Sequence, residues 1–176
     1  VNQGPVVNAG VCYNITEGDD LQLSAFANDP AGASDPLVYA WDFDNDGEFD
    51  DAIGGNPLIT WSQLIALGFG NGLAEHPLSV RVTDDDGEST VGTATLTITN
   101  RAPSINAASQ DLTVDEGAAV TLIGSFTDPS ASDTHSFAWT VTKDGQAYTT
   151  GTTATFTFTP TDQGLYVATY TVTDSD

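Results

Sequence analysis

Positive charge is almost missing from this chain. Only three of its 176 residues are Lys or Arg, against 25 Asp and Glu, for a formal net charge of −22. The three are Arg81, Arg101 and Lys143. Such a surface repels phosphate backbones and anionic headgroups, which excludes nucleic acid and membrane insertion as modes of action. Cysteine is reduced to Cys12, so an intramolecular disulfide is impossible, and a lone thiol of this kind is expected as a small buried apolar group. With Cys12 and two separated histidines, His76 and His135, there is no zinc ligand set. No nucleophile motif accompanies either histidine, so the chain reads as non-catalytic. No apolar run is long enough to cross a membrane and no signal peptide is present, which suggests a piece of a longer, extracellular protein.

What is abundant is organised. Hydrophobic residues make up 39% of the chain, which favours a packed fold over acidic disorder. Acid is concentrated in Asp42-Phe43-Asp44-Asn45-Asp46-Gly47-Glu48-Phe49-Asp50, where carboxylates alternate and a glycine follows the third. Calcium takes six to eight oxygens, and a tight acidic loop delivers several to one point, with Gly47 permitting the sharp turn. An EF-hand would need a bidentate Glu at the twelfth position, where this chain has Ile53. Asp42, Asp44, Asp46 and Asp50 are therefore candidate calcium ligands of a non-helical loop. The same residues also suit an aspartate-rich hairpin turn held by side-chain-to-backbone hydrogen bonds.

The chain repeats itself. Pro5-Val6-Val7-Asn8-Ala9 matches Pro103-Ser104-Ile105-Asn106-Ala107, Glu17-Gly18 matches Glu116-Gly117, and Asp29-Pro30 matches Asp128-Pro129. Tyr39-Ala40-Trp41 matches Phe137-Ala138-Trp139, and Val82-Thr83-Asp84 matches Val172-Thr173-Asp174. Two domains are expected, 1–99 and 100–176. Period-two alternation marks their strands: Leu78, Val80, Val82; Ala94, Leu96, Ile98; Phe137, Trp139, Val141; Tyr166, Ala168, Tyr170, Val172. Alternation with Gly, Asp and Pro turns over about 100 residues predicts an all-β fold of two tandem immunoglobulin-like sandwiches. One short helix is expected near 62–67, capped by Ser62 and ended by Gly68. Trp41 and Trp139 belong in the two cores, packed on residues such as Val80 and Ala168. In the second half nothing follows Val172-Thr173-Asp174 that could match Thr93–Thr99, so its last strand is expected to be missing.

Tyr39-Ala40-Trp41-Asp42-Phe43-Asp44-Asn45-Asp46-Gly47 resembles the Trp-Asp-Phe-Gly-Asp-Gly hallmark of the PKD (polycystic kidney disease) domain. Gly164-Leu165-Tyr166 with Tyr170-Thr171-Val172-Thr173-Asp174 resembles its second hallmark, Gly-x-Tyr-x-Val closing in Val-Thr-Asp. The first half departs from it by placing His76 where the second has Tyr166, and the second half, at Trp139–Gly145, lacks most acids of the turn. The resemblance covers both halves and implies a spacer, adhesion or protein-contact role in a bacterial surface or secreted protein. It also implies calcium near the N-terminal pole, as in the related domains of secreted collagenases.

Sandwich topology brings the chain start, the second-to-third loop and the sixth-to-seventh loop to one pole. That pole gathers Asn2, Asp29, Asp35 and Asp84 in the first domain, and Asn100, Asp128, Asp133 and Asp174 in the second. Three segments supplying oxygens make a calcium cage, while Asp-Pro and Asp-Asp-Asp-Gly are also ordinary turn formers. The leading expectation is a non-catalytic extracellular spacer or adhesion module stiffened by calcium, its partners being other domains of the parent chain and a protein or glycan ligand. The alternative is a carbohydrate- or protein-binding accessory module of a secreted hydrolase, for which Tyr13, Trp61 or Tyr148 would need to be exposed.

Overall fold

The computed structural model describes residues 3–30, 32, 36–70, 74–106 and 111–175. The chain divides into two compact units, Val1–Arg101 and Ala102–Asp176. The first holds β1 (Val6–Asn8), β2 (Cys12–Thr16), β3 (Leu21–Gln22), β4 (Phe26–Asn28), β5 (Val38–Asp42), β6 (Ala52–Ile53), β7 (Leu58–Ile59), α1 (Trp61–Ala66), β8 (Ala74–Thr83) and β9 (Ser89–Thr99). One sheet runs β2-β9-β8-β5-β6, and two short antiparallel pairs, β1-β4 and β3-β7, form the other layer. Between the layers the alternating residues read from the sequence meet: Trp41, Leu78, Val80, Val82, Leu96 and Ile98 are all fully buried, against Leu21, Leu23 and Ile59. Trp41 pairs across the ladder with Val80, and its indole donates to the Gly54 carbonyl at 2.9 Å. Burial of its polar edge is thereby compensated.

The second unit holds β10 (Ser104–Ile105), β11 (Val120–Ile123), β12 (Phe126–Thr127), β13 (Ser136–Lys143), β14 (Gln146–Gly151), β15 (Thr155–Phe158) and β16 (Tyr166–Thr173). Its larger sheet runs β14-β13-β16, opposed by the pairs β10-β12 and β11-β15. Trp139 repeats the arrangement of Trp41, with its indole donating to Thr153 O at 3.0 Å. Tyr166 donates to Asp162 O at 3.0 Å, a tyrosine corner that fixes the approach to β16. The all-β sandwich architecture expected from period-two patterning is thus present in both units. Among the described residues, no strand lies on the outer side of β16.

Three details differ from the sequence reading. The helix is capped by Thr60, not Ser62: Thr60 Oγ1 accepts from Gln63 N, and Gln63 Oε1 accepts from Thr60 N at 2.9 Å, a reciprocal capping box. Cys12 is exposed rather than buried. It sits on β2 opposite Thr95, on the outward side, while Tyr13 and Ile15 take the inward positions. Trp139 packs on Tyr170 with ring centroids 4.5 Å apart, and Ala168 instead lies beside Val141.

Candidate metal site

The Asp42–Asp51 segment leaves β5 at a buried aspartate and returns at β6. Asp42 and Phe43 are buried, 4% and 1% exposed. Asp42 cannot leave its charge unsolvated there. Its Oδ1 accepts from Asn45 N at 2.7 Å and its Oδ2 from Gly47 N at 3.2 Å, so the loop wraps its own anchor. Asn45 (φ 59) and Gly47 (φ 93) both occupy the left-handed region, which bends the chain tightly enough for this. Asn45 Nδ2 then donates to Phe43 O at 3.1 Å and Pro77 O at 3.0 Å, pinning the loop to β8. Asp44 Oδ1 accepts from Asp46 N, and Asp46 Oδ1 from Glu48 N at 2.8 Å.

The carboxylates make turn hydrogen bonds through backbone amides, and Asp42, Asp44 and Asp46 still bring one oxygen each within 4.8 Å of one another. Hard, charged oxygens converging on one point suit calcium and not a thiophilic metal. Asp50 is exposed and outside this group. The residue that turns inward is its neighbour Asp51, whose Oδ2 accepts from Phe43 N at 2.5 Å. Beside this loop's Phe49, the Arg81 guanidinium lies over the ring, 4.4 Å from its centroid.

Asn2 and Asp35 lie outside the described residues. Asp84 is 5% exposed and belongs to the β8–β9 hairpin, where its Oδ1 accepts from Glu88 N at 2.8 Å. Asp29 follows β4 and its carbonyl accepts from Gly32 N at 3.1 Å. Asn100 closes β9 and belongs to the first unit. In the second unit Asp128 and Asp133 do converge, around Ser130. Asp128 Oδ1 accepts from Ser130 N at 2.9 Å, and Ser130 Oγ donates to Asp133 Oδ1 at 3.0 Å. Asp128 Oδ2 meets His135 Nε2 at 3.1 Å, with both side chains largely buried. His135 also packs on Phe126 at 4.5 Å. Nothing in the sequence pairs His135 with Asp128, because a spacing of seven carries no strand-period signal. Asp174 follows β16 and is half-buried.

Of the aromatics considered for ligand stacking, none forms an open platform. Tyr13 donates to Ala9 O at 2.8 Å, and with Trp61 it packs on the first core. Tyr148 stands edge-on to Tyr166 at 5.1 Å and donates to Thr159 O. His76 packs on Phe69 at 4.5 Å, and burial pushes its pKa down. No helix among the described residues is long and apolar enough to cross a membrane.

Residues 100–176 match the family model of the PKD domain. No curated protein matches the chain. Among solved structures, the insect immune protein hemolin aligns with a TM-score of 0.51 at 14% identity, over 97% of this chain and 45% of that one. The PKD1 domain of Vibrio anguillarum Epp aligns with a TM-score of 0.40 at 24% identity, over 57% of this chain and all of that one. The N-terminal Ig1-2 module of the Drosophila receptor protein tyrosine phosphatase DLAR aligns with a TM-score of 0.36 at 14% identity, over 99% and 96%. The hemolin likeness shows the fold alone.

Proposed function

We propose, from the premise that residues 100–176 are a PKD domain and that the first unit repeats its fold, that this chain is a non-catalytic spacer or adhesion module. Its place is in a bacterial surface or secreted protein, outside the cell, with calcium bracing the first unit. The observation that carries the calcium part is the convergence of Asp42, Asp44 and Asp46 oxygens within 4.8 Å. Three carboxylates and water can complete the shell of a hard cation. The ion would tie the exposed Asp44 and Asp46 to the buried Asp42, cross-linking the loop to the end of β5. Affinity is expected at the weak end of calcium modules, about 10⁻⁴–10⁻³ M, because two of the three ligands are exposed.

Calcium that binds only the folded state raises stability by mass action. The first unit should melt higher in millimolar calcium than in chelator, and sodium at matched ionic strength should give a smaller rise. Asp44→Ala should remove the calcium-specific part and leave the sodium part. Identical melting curves in calcium and chelator would remove the metal from this reading and leave the spacer role standing.

A further inference from the structure

The outward face of the β1-β4 pair differs from its counterpart in the second unit in a way that packing does not require. The register Val7↔Ala27 and Asn8↔Phe26 recurs as Ile105↔Phe126, with Asn106 N donating to Ser125 O at 3.0 Å. Phe26 therefore corresponds to Ser125, and Ala27 to Phe126. In the second unit the ring is on the inner side, against Phe137 and His135, while Ser104, Ser125 and Thr127 are exposed. The first unit reverses this. Ala25 and Ala27 pack on the core, and Phe26 between them stands outward, 58% exposed. Alanines inside and the aromatic ring in water forfeit burial that the other parity would have given. Direct partners of an antiparallel pair share a face, so Val6, Asn8, Phe26 and Asn28 form a checkerboard of two apolar groups and two amides. All four are exposed. Asn8 Oδ1 accepts from Gly10 N at 2.9 Å, which orients the amide and leaves Nδ2 to donate elsewhere. With Thr93 of β9 these side chains line a groove of about 430 Å³, and none of the residues lining it is charged.

We propose that this groove binds a neutral saccharide, with the C–H face of one pyranose ring lying on Phe26. Sugar C–H bonds carry slight positive charge and meet the negative face of the aromatic ring. Asn8 and Asn28 flank that position, and each amide offers donors and an acceptor together, the pair of roles that neighbouring sugar hydroxyls fill. Charge decides against acidic sugars, because a chain of net charge −22 repels uronates and sialylated glycans. Size decides against a protein partner. A standard interface takes about 800 Å² from each side, whereas this face is four side chains on two three-residue strands. The second unit, with serine at the outward position, has no such platform. A saccharide here supplies a ligand class for the adhesion reading above and rests on that reading for its context.

The test titrates the full chain with maltohexaose, cellohexaose and mannohexaose, and with hexagalacturonate as the acidic control, reading amide chemical shifts. At least one neutral hexaose should shift the side-chain amides of Asn8 and Asn28, and the backbone amides of 6–10, 26–28 and 92–93, along a saturable curve. Hexagalacturonate should shift none of them. Phe26→Ser, which copies the second unit, should weaken binding about tenfold or more, and Phe26→Trp should keep it. Because Phe26 is exposed, neither substitution should lower the melting temperature of the first unit, which separates lost binding from lost fold. No shift with any neutral hexaose would overturn the proposal. So would shifts that map elsewhere, binding untouched by Phe26→Ser, or equal binding of hexagalacturonate. Calcium-dependent melting does not involve these side chains, so this proposal and the calcium-braced module can fail separately.

Discussion

His76 stands at the position that Tyr166 takes in the second unit, and the exchange has a cost that pH exposes. Tyr166 closes a corner hydrogen bond, while His76 Nε2 has no partner among the described residues and its ring lies against Phe69. Burial favours the neutral imidazole, so the folded pKa lies below the ordinary 6.5 of a free histidine. The unfolded chain then binds more protons below that value. Stability is present in full above pH 6.5 and is lost as pH falls through the depressed folded value. His76→Phe should flatten the melting temperature of the first unit below pH 6.5, measured by thermal scans at fixed ionic strength. A slope unchanged by the substitution would assign the acid sensitivity to carboxylates instead. Cys12 offers a second residue-scale check: because it is exposed, it should react with a thiol reagent in the native state at the rate of an unhindered thiol.

At the scale of elements, the sequence showed most where local period and local burial coincide. Trp41 and Trp139 were readable as core because each sits mid-strand in an alternating run, and both are buried, 0% and 6% exposed. Cys12 was misread because its side depends on β2 lying parallel to β9, a pairing across more than eighty residues that no window reveals. Thr60 was legible in principle, since Thr60-x-x-Gln63 is a capping box, but the nearer Ser62 competed for the same role. In the acid loop the run of carboxylates was plain, while the contact of Asp51 with the Phe43 amide was not. Trp41→Ala should cost about 3–5 kcal/mol, enough to unfold the first unit, with Trp139→Ala doing the same to the second. A finer test is Gly124→Ala. A Cβ there would lie 2.2 Å from the Tyr170 ring, which packs on Trp139, so something must shift, and the second unit should lose stability while the first keeps its own.

For the whole molecule, core size predicts the order of events on heating. Among the described residues, the first unit has fifteen buried apolar residues in one cluster. In the second only Val120, Trp139 and Val141 are buried to that degree among the described residues, the rest of its interior being half-covered aromatic rings. The second unit should therefore melt first, read by near-UV signal from its Phe and Tyr rings or by Trp139→Phe as a subtraction. If the first unit melts first in chelator, its acid load outweighs its larger core, and added calcium should restore the order.

The parallel pairing of β2 with β9 also decides how the first unit answers to tension. A pull on the N-terminal side of β2 against the C-terminal side of β9 slides the strands lengthwise, so the rungs from Cys12–Thr95 to Thr16–Thr99 are stretched together instead of parting one after another. Arg101 reinforces the loaded end, its Nε donating to Glu17 O at 2.6 Å and its guanidinium pairing with Asp19. A unit held in this way resists extension like a lap joint. Single-molecule stretching should give a higher rupture force for the first unit than for the second, and Arg101→Ala should lower it without changing the melting rise expected with calcium.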